Sequence, residues 1–313
     1  MGTYILRRMV SAIAVMAMVG IFVFLLLRLA PGDPAAIIAG DAATPEMIAE
    51  IREQMGLNEP LWVQFVHWAL GILSGDFGTS IFTGRAVLEL IEQRLEPTIS
   101  LSFLTMIVSV TIGVSFGMLA AWRARGLVDR VLAVFAAIGF SLPVFVVGYS
   151  LVYFFAIKTH WLPVQGYVPY GNGLVPWFVH LILPTVTLSI PYIAFIARIT
   201  RASMLEVLSE DYMRTAAAKG ASSYSMLFHH ALKNAGVPIL TVVGISLAYL
   251  ISGVVITETV FNVPGIGRLV VDAINSRDYP IIQAVLILVS GIYVLINLAV
   301  DLSYTLVDPR IRY

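Results

Sequence analysis

Apolar runs of about 20 residues recur along this chain, and no other feature limits its fold so severely. Six can be distinguished: Met9–Ala30, Ile99–Trp122, Val131–Ile157, Val175–Ile199, Val237–Thr257 and Ile281–Val307. Each matches the length a bilayer core requires, and lipid offers a backbone N–H or C=O no partner, so each must be a helix. The expectation is an all-α polytopic membrane protein with six transmembrane helices. Pro184 and Pro191 fall inside the fourth run, which is therefore expected to kink or unwind locally.

Composition agrees. The chain is 59% hydrophobic and 12% charged, where a soluble domain carries about 25% charged residues. Formal charge balances to zero, leaving no whole-chain field for nucleic acid. Cysteine is absent, which excludes disulfides, thiolate metal sites, iron–sulfur clusters and a cysteine nucleophile. Arg7-Arg8 followed by Met9–Leu29 has the layout of a secretion signal. The apolar part exceeds the usual 7–15 residues, roughly, and no small-residue cleavage site precedes Pro31-Gly32-Asp33-Pro34, so a retained first span is expected.

Basic residues orient the spans. Arg7 and Arg8 precede the first, Arg123, Arg125 and Arg130 follow the second, and Arg310 and Arg312 follow the sixth. This places the N-terminus, the C-terminus and the even loops in the cytoplasm. The long first loop, 31–98, is acidic. Within it Leu61, Trp62, Phe65, Trp68, Ala69 and Ile72 recur at helical spacing before a glycine-rich turn at Gly75–Ser80. A short amphipathic helix at the outer interface is expected there.

Motifs for covalent chemistry are missing from the sequence. It has no phosphate-cradling loop ending in Gly-Lys-Ser/Thr, no HExxH among its histidines (His67, His160, His180, His229, His230) and no GxSxG elbow. His180 is the one histidine beside a span that could serve as a base, and an interfacial histidine is the plainer reading. No catalytic residue, cofactor or metal site is expected. A secondary transporter would need a buried carboxylate pair or an inverted repeat at mid-membrane, and the spans offer neither.

The polar stretch Arg201–Pro238 lies between spans four and five, on the side expected to be cytoplasmic. Upstream of Gly220, Met204, Leu205, Leu208, Tyr212 and Thr215-Ala216 form one helical face, with Glu206, Glu210 and Asp211 on the other. Ala216-Ala217-Ala218 favours helix with minimal side chains. Gly220 suits a helix end, and Ser222 or Ser223 can cap a second helix carrying Tyr224, Leu227, Phe228, Ala231 and Leu232. The pattern is helix, glycine turn, helix. Its bend is either a docking surface or a packed connector.

This bend resembles the coupling helix, or EAA motif, of ABC-importer permeases. Arg214, Thr215, Ala216 and Gly220 align with the Glu-Ala-Ala and glycine of the general motif. The run Asp211-Tyr212-Met213-Arg214-Thr215-Ala216-Ala217-Ala218-Lys219-Gly220 is similar throughout to the form used in the peptide-permease branch. Further likenesses to the B-type subunits of dipeptide and oligopeptide permeases span the chain: Tyr4–Arg8, Leu26–Pro34, Gly75–Ser80, Glu258–Phe261, Pro264–Gly267, Arg277–Pro280 and Asp308–Tyr313.

The resemblance implies a type I ABC importer permease fold in a bacterial or archaeal inner membrane. Residues 1–95 would form the first transmembrane helix and a periplasmic loop with short helices, 96–307 the main transmembrane domain with its coupling loop at 201–236, and 308–313 a cytoplasmic tail. It also implies partners: a paralogous second permease forming a heterodimer, two ATP-binding subunits and a periplasmic substrate-binding protein. Asp211, Tyr212 and Arg214–Gly220 would couple to the ATPase. Phe261, Pro264, Gly265, Gly267 and Arg268 would face the binding protein, or only cap the bundle. Thr185, Thr187 and Ser189 would line a passage or satisfy carbonyls freed by the two prolines. Gly113 and Gly117 read as a close-packing face. Peptides are the expected cargo. Nickel complexes, glutathione and oligosaccharides are the alternatives within the family.

Overall fold

The computed structural model describes residues 2–29, 33–39, 43–54 and 56–307. The expected tail at 308–313, with its motif Asp308–Tyr313, lies outside them, as do Ala30, Pro31 and Gly32. The described residues are helical apart from turns and one isolated bridge between Thr79 and Ala86.

The helices, in chain order, are α1 (Gly2–Leu29), α2 (Pro34–Ala39), α3 (Pro45–Gln54), α4 (Leu61–Ser74), α5 (Val87–Trp122), α6 (Leu127–Ser141) and α7 (Val144–Leu151), which continues as a π-helix to Lys158. They are followed by α8 (Leu174–Ser209), α9 (Asp211–Ala218), a π-helix at Ser225–Leu232, α10 (Gly236–Val260), α11 (Ile266–Ser276) and α12 (Tyr279–Val307). Within α1, α5, α8 and α12 lie helical stretches long and apolar enough to cross a membrane, and two bent pairs bring the number to six if each pair is one span.

Where the third and fourth spans bend departs from expectation. α8 runs unbroken through Pro184 and Pro191, while the third span is broken between α6 and α7 by 101°. Leu142 is extended (φ −86°, ψ 125°), as a residue before proline prefers, and Pro143 starts the new helix. α8 stays one continuous helix because much of it is buried in its bundle: 61% of its most apolar window is covered, against 11% for α1 and 17% for α12. That packing outweighs the two missing hydrogen bonds.

The chain divides into two compact units. Among the described residues, one comprises 96–268 with 295–307, and the other those of 2–95 with 269–294.

In the first unit α8 packs against α6, α7 and α10. Leu101 and Met106 of α5 meet Leu188 and Tyr192 of α8 and Leu250 and Val254 of α10 in one apolar cluster. Gly113 and Gly117 bring α5 onto α8. A Cβ on Gly117 would overlap the Ala197 carbonyl, and one on Gly113 would crowd Ile196. That is the close-packing face read from their spacing.

In the second unit α4 is the helix foreseen at 61–72. Its Phe65 and Trp68 stack around Phe24 of α1 with ring centroids 5.3 and 5.6 Å away. Trp62, Leu70 and Leu73 stay exposed, so α4 also presents an apolar side that the chain itself does not cover, and the amphipathic pattern expected there is not clean. Two fragments far apart in sequence meet here: Ser80 Oγ donates to the buried Asp278 carboxylate at 2.6 Å, and the Ile81 N–H reaches its other oxygen at 3.4 Å.

Candidate functional site

The segment 201–238 forms a compact knob. α8 ends at Ser209, Glu210 turns to extended backbone (φ −67°, ψ 147°), and α9 begins at Asp211. The single apolar face expected from Met204 to Ala216 is therefore divided. Met204 stays on α8, while Met213, absent from the expected face, is the side chain that α9 buries. Around it gather Met118 and Ala121 from α5, Met204, and Met226 and Leu227 from the π-helix. Thioether side chains adapt to irregular gaps, which suits the junction of these four segments.

α9 closes as the sequence indicates. Gly220 takes the left-handed conformation (φ +82°), its N–H reaches Ala217 O at 3.0 Å, and the Ala221 N–H reaches Ala216 O at 3.1 Å. Ser222 is the cap for the next helix, accepting from the Ser225 N–H at 3.2 Å. The outcome is a one-sided element. Asp211, Tyr212, Arg214, Thr215, Ala217, Ala218, Lys219 and Gly220 are exposed, and Ala216 is half-buried. Arg214 has only a solvent-facing contact with Asp211 at 3.3 Å. Burial, then the charge of Glu210, raises the Tyr212 phenol above its ordinary range.

The turn at 261–268 is built on a carboxylate. Glu258, fully buried at the end of α10, accepts from Thr98 Oγ1 at 2.6 Å and from the Arg268 N–H at 3.0 Å. Thr98 in turn accepts from the Ile266 N–H at 2.8 Å. Gly265 is required here because any Cβ would overlap that carboxylate, and one on Gly267 would stand 2.7 Å from the Val255 Cα. Phe261, Gly265 and Gly267 are buried, Phe261 among Val152, Ala156 and Leu183. Asn262 is exposed, and Pro264 and Arg268 are half-buried.

Thr185, Thr187 and Ser189 are all buried on α8. Ser189 Oγ donates to Val186 O at 3.1 Å, whereas the Thr185 and Thr187 hydroxyls find no partner among the described residues. The Thr187 methyl packs beside Gly148 of α7.

Two further residues come together that motif matching did not single out. Asp129, in the first turn of α6, accepts from both Nε and Nη2 of Arg201, the latter at 2.8 Å, and from the Arg125 N–H at 2.8 Å. The signal was available: an acid bordering an apolar run, as Asp129 precedes 131–157 and Glu258 follows 237–257, is costly to bury unless paired.

An all-helical membrane bundle with a small exposed helix between two spans is the arrangement expected of a permease subunit of the ABC type. The chain belongs to the family of binding-protein-dependent transport system inner membrane components, whose model matches residues 113–313, with the family's N-terminal model matching residues 1–102. It is 78% identical over 313 residues to a probable peptide ABC transporter permease protein of Sinorhizobium fredii, with 100% of both chains covered. The glutathione transport system permease protein GsiC of Salmonella choleraesuis is 43% identical over 314 residues, again with 100% of each covered. Among solved structures, a chain of the inward-facing MetNI methionine ABC transporter superposes with a TM-score of 0.59 at 18% identity. That match covers 71% of this chain and 97% of the other, and it shows the fold. The protein is thus a multi-pass component of an inner-membrane transport system that works with a binding protein.

Proposed function

We propose that this chain is the passive pathway subunit of an ATP-driven importer of peptides, and itself catalyses nothing. One observation carries the reading: α9 holds to the bundle through Met213 and Ala216 and turns the rest of its surface outward. A helix so placed can receive motion from a soluble ATPase and pass it to the spans as a rigid body. Thr215–Gly220 would sit against the ATPase, where Ala217 and Ala218 permit close approach and Arg214 and Lys219 meet acidic groups.

Both termini would lie in the cytoplasm. Two ATP-binding subunits, a periplasmic binding protein and a paralogous second permease complete the assembly. The turn at 261–268 would meet the binding protein through Asn262, Pro264 and Arg268, with Phe261, Gly265 and Gly267 setting its shape from within. Thr185 and Thr187 would join the passage when α7 withdraws from α8, which would give their unpartnered hydroxyls something to bond. Peptide cargo is supported by the full-length 78% identity to a peptide-type relative. Glutathione is the second reading, favoured by the 43% identity to GsiC.

The test is ATP hydrolysis by the purified complex in nanodiscs, with its binding protein empty, loaded with di- to tetrapeptides, or loaded with glutathione. Stimulation by the peptide-loaded protein is expected, weakened by Arg268→Glu and by Thr187→Val. Stimulation by glutathione alone would change the cargo, and a complex without ATPase activity would remove the importer reading.

A further inference from the structure

We propose that Arg201 and Asp129 form a clamp that makes the stem of the coupling segment and the start of α6 move as one body. Arg201 is thereby a positioning residue for transport. The inference rests on the reading of α9 as the ATPase-coupling element.

Arg201 lies about two turns before the end of α8, on the stem that carries α9. Its planar fork meets both oxygens of Asp129, a geometry that fixes direction as well as distance. The same carboxylate takes the Arg125 N–H, and Arg125 is a non-glycine residue held in the left-handed region (φ +63°). One side chain on α6 therefore ties together the end of α8, the beginning of α6 and the turn that joins α5 to α6.

Stability alone does not call for such a pair. Ala120, Leu132 and Ala197 already pack α5, α6 and α8 together close by, and an ion pair whose arginine is half-buried adds little to stability. What the pair adds is a fixed relation between helices. Tyr212 and Arg214 stand exposed on α9, while α9 joins the bundle through a cluster of methionines. A displacement entering at α9 passes up α8, and the clamp is the stiff polar link by which α6 follows. Without it, α8 can swing while α6 stays, so ATP is consumed and the spans do not rearrange.

The experiment measures peptide taken up per ATP hydrolysed, with the complete complex and its binding protein in proteoliposomes. The wild-type complex run alongside tests the importer reading separately. Arg201→Met and Asp129→Asn are expected to lower the ratio about tenfold at an unchanged ATPase rate. Arg201→Lys, which keeps the charge and loses the fork, should fall between. Because the chain has no cysteine, an Asp129→Cys/Arg201→Cys variant can be joined by a short bis-maleimide, each thiol adding across one maleimide double bond, and the joined form should recover coupling. If Arg201→Met does not assemble, the lysine variant and the cysteine pair carry the test. The clamp is overturned by a wild-type ratio in Arg201→Met, by ATPase and uptake falling in proportion, or by a cross-link that restores nothing.

Discussion

Glu258 shows how one residue sets the shape of a loop. A buried carboxylate costs several kcal/mol unless its oxygens find donors, and here Thr98 and the Arg268 backbone supply them. Gly265 follows from that choice, since only a residue without a Cβ fits against the carboxylate. Gly265→Ala is therefore expected to destabilise the protein by about 1–3 kcal/mol. Shortening the acid relieves the clash, so Gly265→Ala/Glu258→Ala should lose less than the two single changes added. Thermal unfolding of the purified complex measures this, and strictly additive losses would contradict the contact. The sequence showed Pro264, Gly265 and Gly267 as a turn, because glycine and proline act through the backbone. It did not show that the glycines face inward onto Glu258, because that depends on α5 arriving beside α10.

Among the elements, α9 was the most legible. Its exit depends on local signals, an alanine run followed by a glycine, and these survive any tertiary arrangement. The break at Glu210 was not visible, since Met204 to Ala216 keeps helical periodicity straight through it. The prolines show the same limit. Pro143 breaks its span and Pro184 and Pro191 do not, although all three lie in apolar runs. The difference is that α8 is enclosed by neighbours, which a linear pattern does not record. Two substitutions on α9 separate its roles. Ala217 is exposed, so Ala217→Trp should leave the melting temperature unchanged while ATP hydrolysis continues without uptake. Met213 is buried, so Met213→Ala should cost about 2–5 kcal/mol, lowering the melting temperature. Normal uptake by Ala217→Trp would remove α9 from the coupling route.

At the scale of the whole molecule, the spans were legible because hydrocarbon thickness dictates their length, and the close face of Gly113 and Gly117 because small residues let helices meet. Which apolar faces meet lipid and which meet protein was not, because lipid tails and leucine side chains are equally apolar and hydropathy assigns both the same value. α1 and α12 leave most of their apolar windows uncovered by the rest of the chain. Lipid or a second permease can cover such a surface. If the assembly is a heterodimer, native mass spectrometry of the complex should find one copy of this chain beside one copy of a different permease, with two ATPase subunits. Two copies of this chain in one complex would make the pathway symmetric, and would move the search for substrate contacts onto this sequence alone.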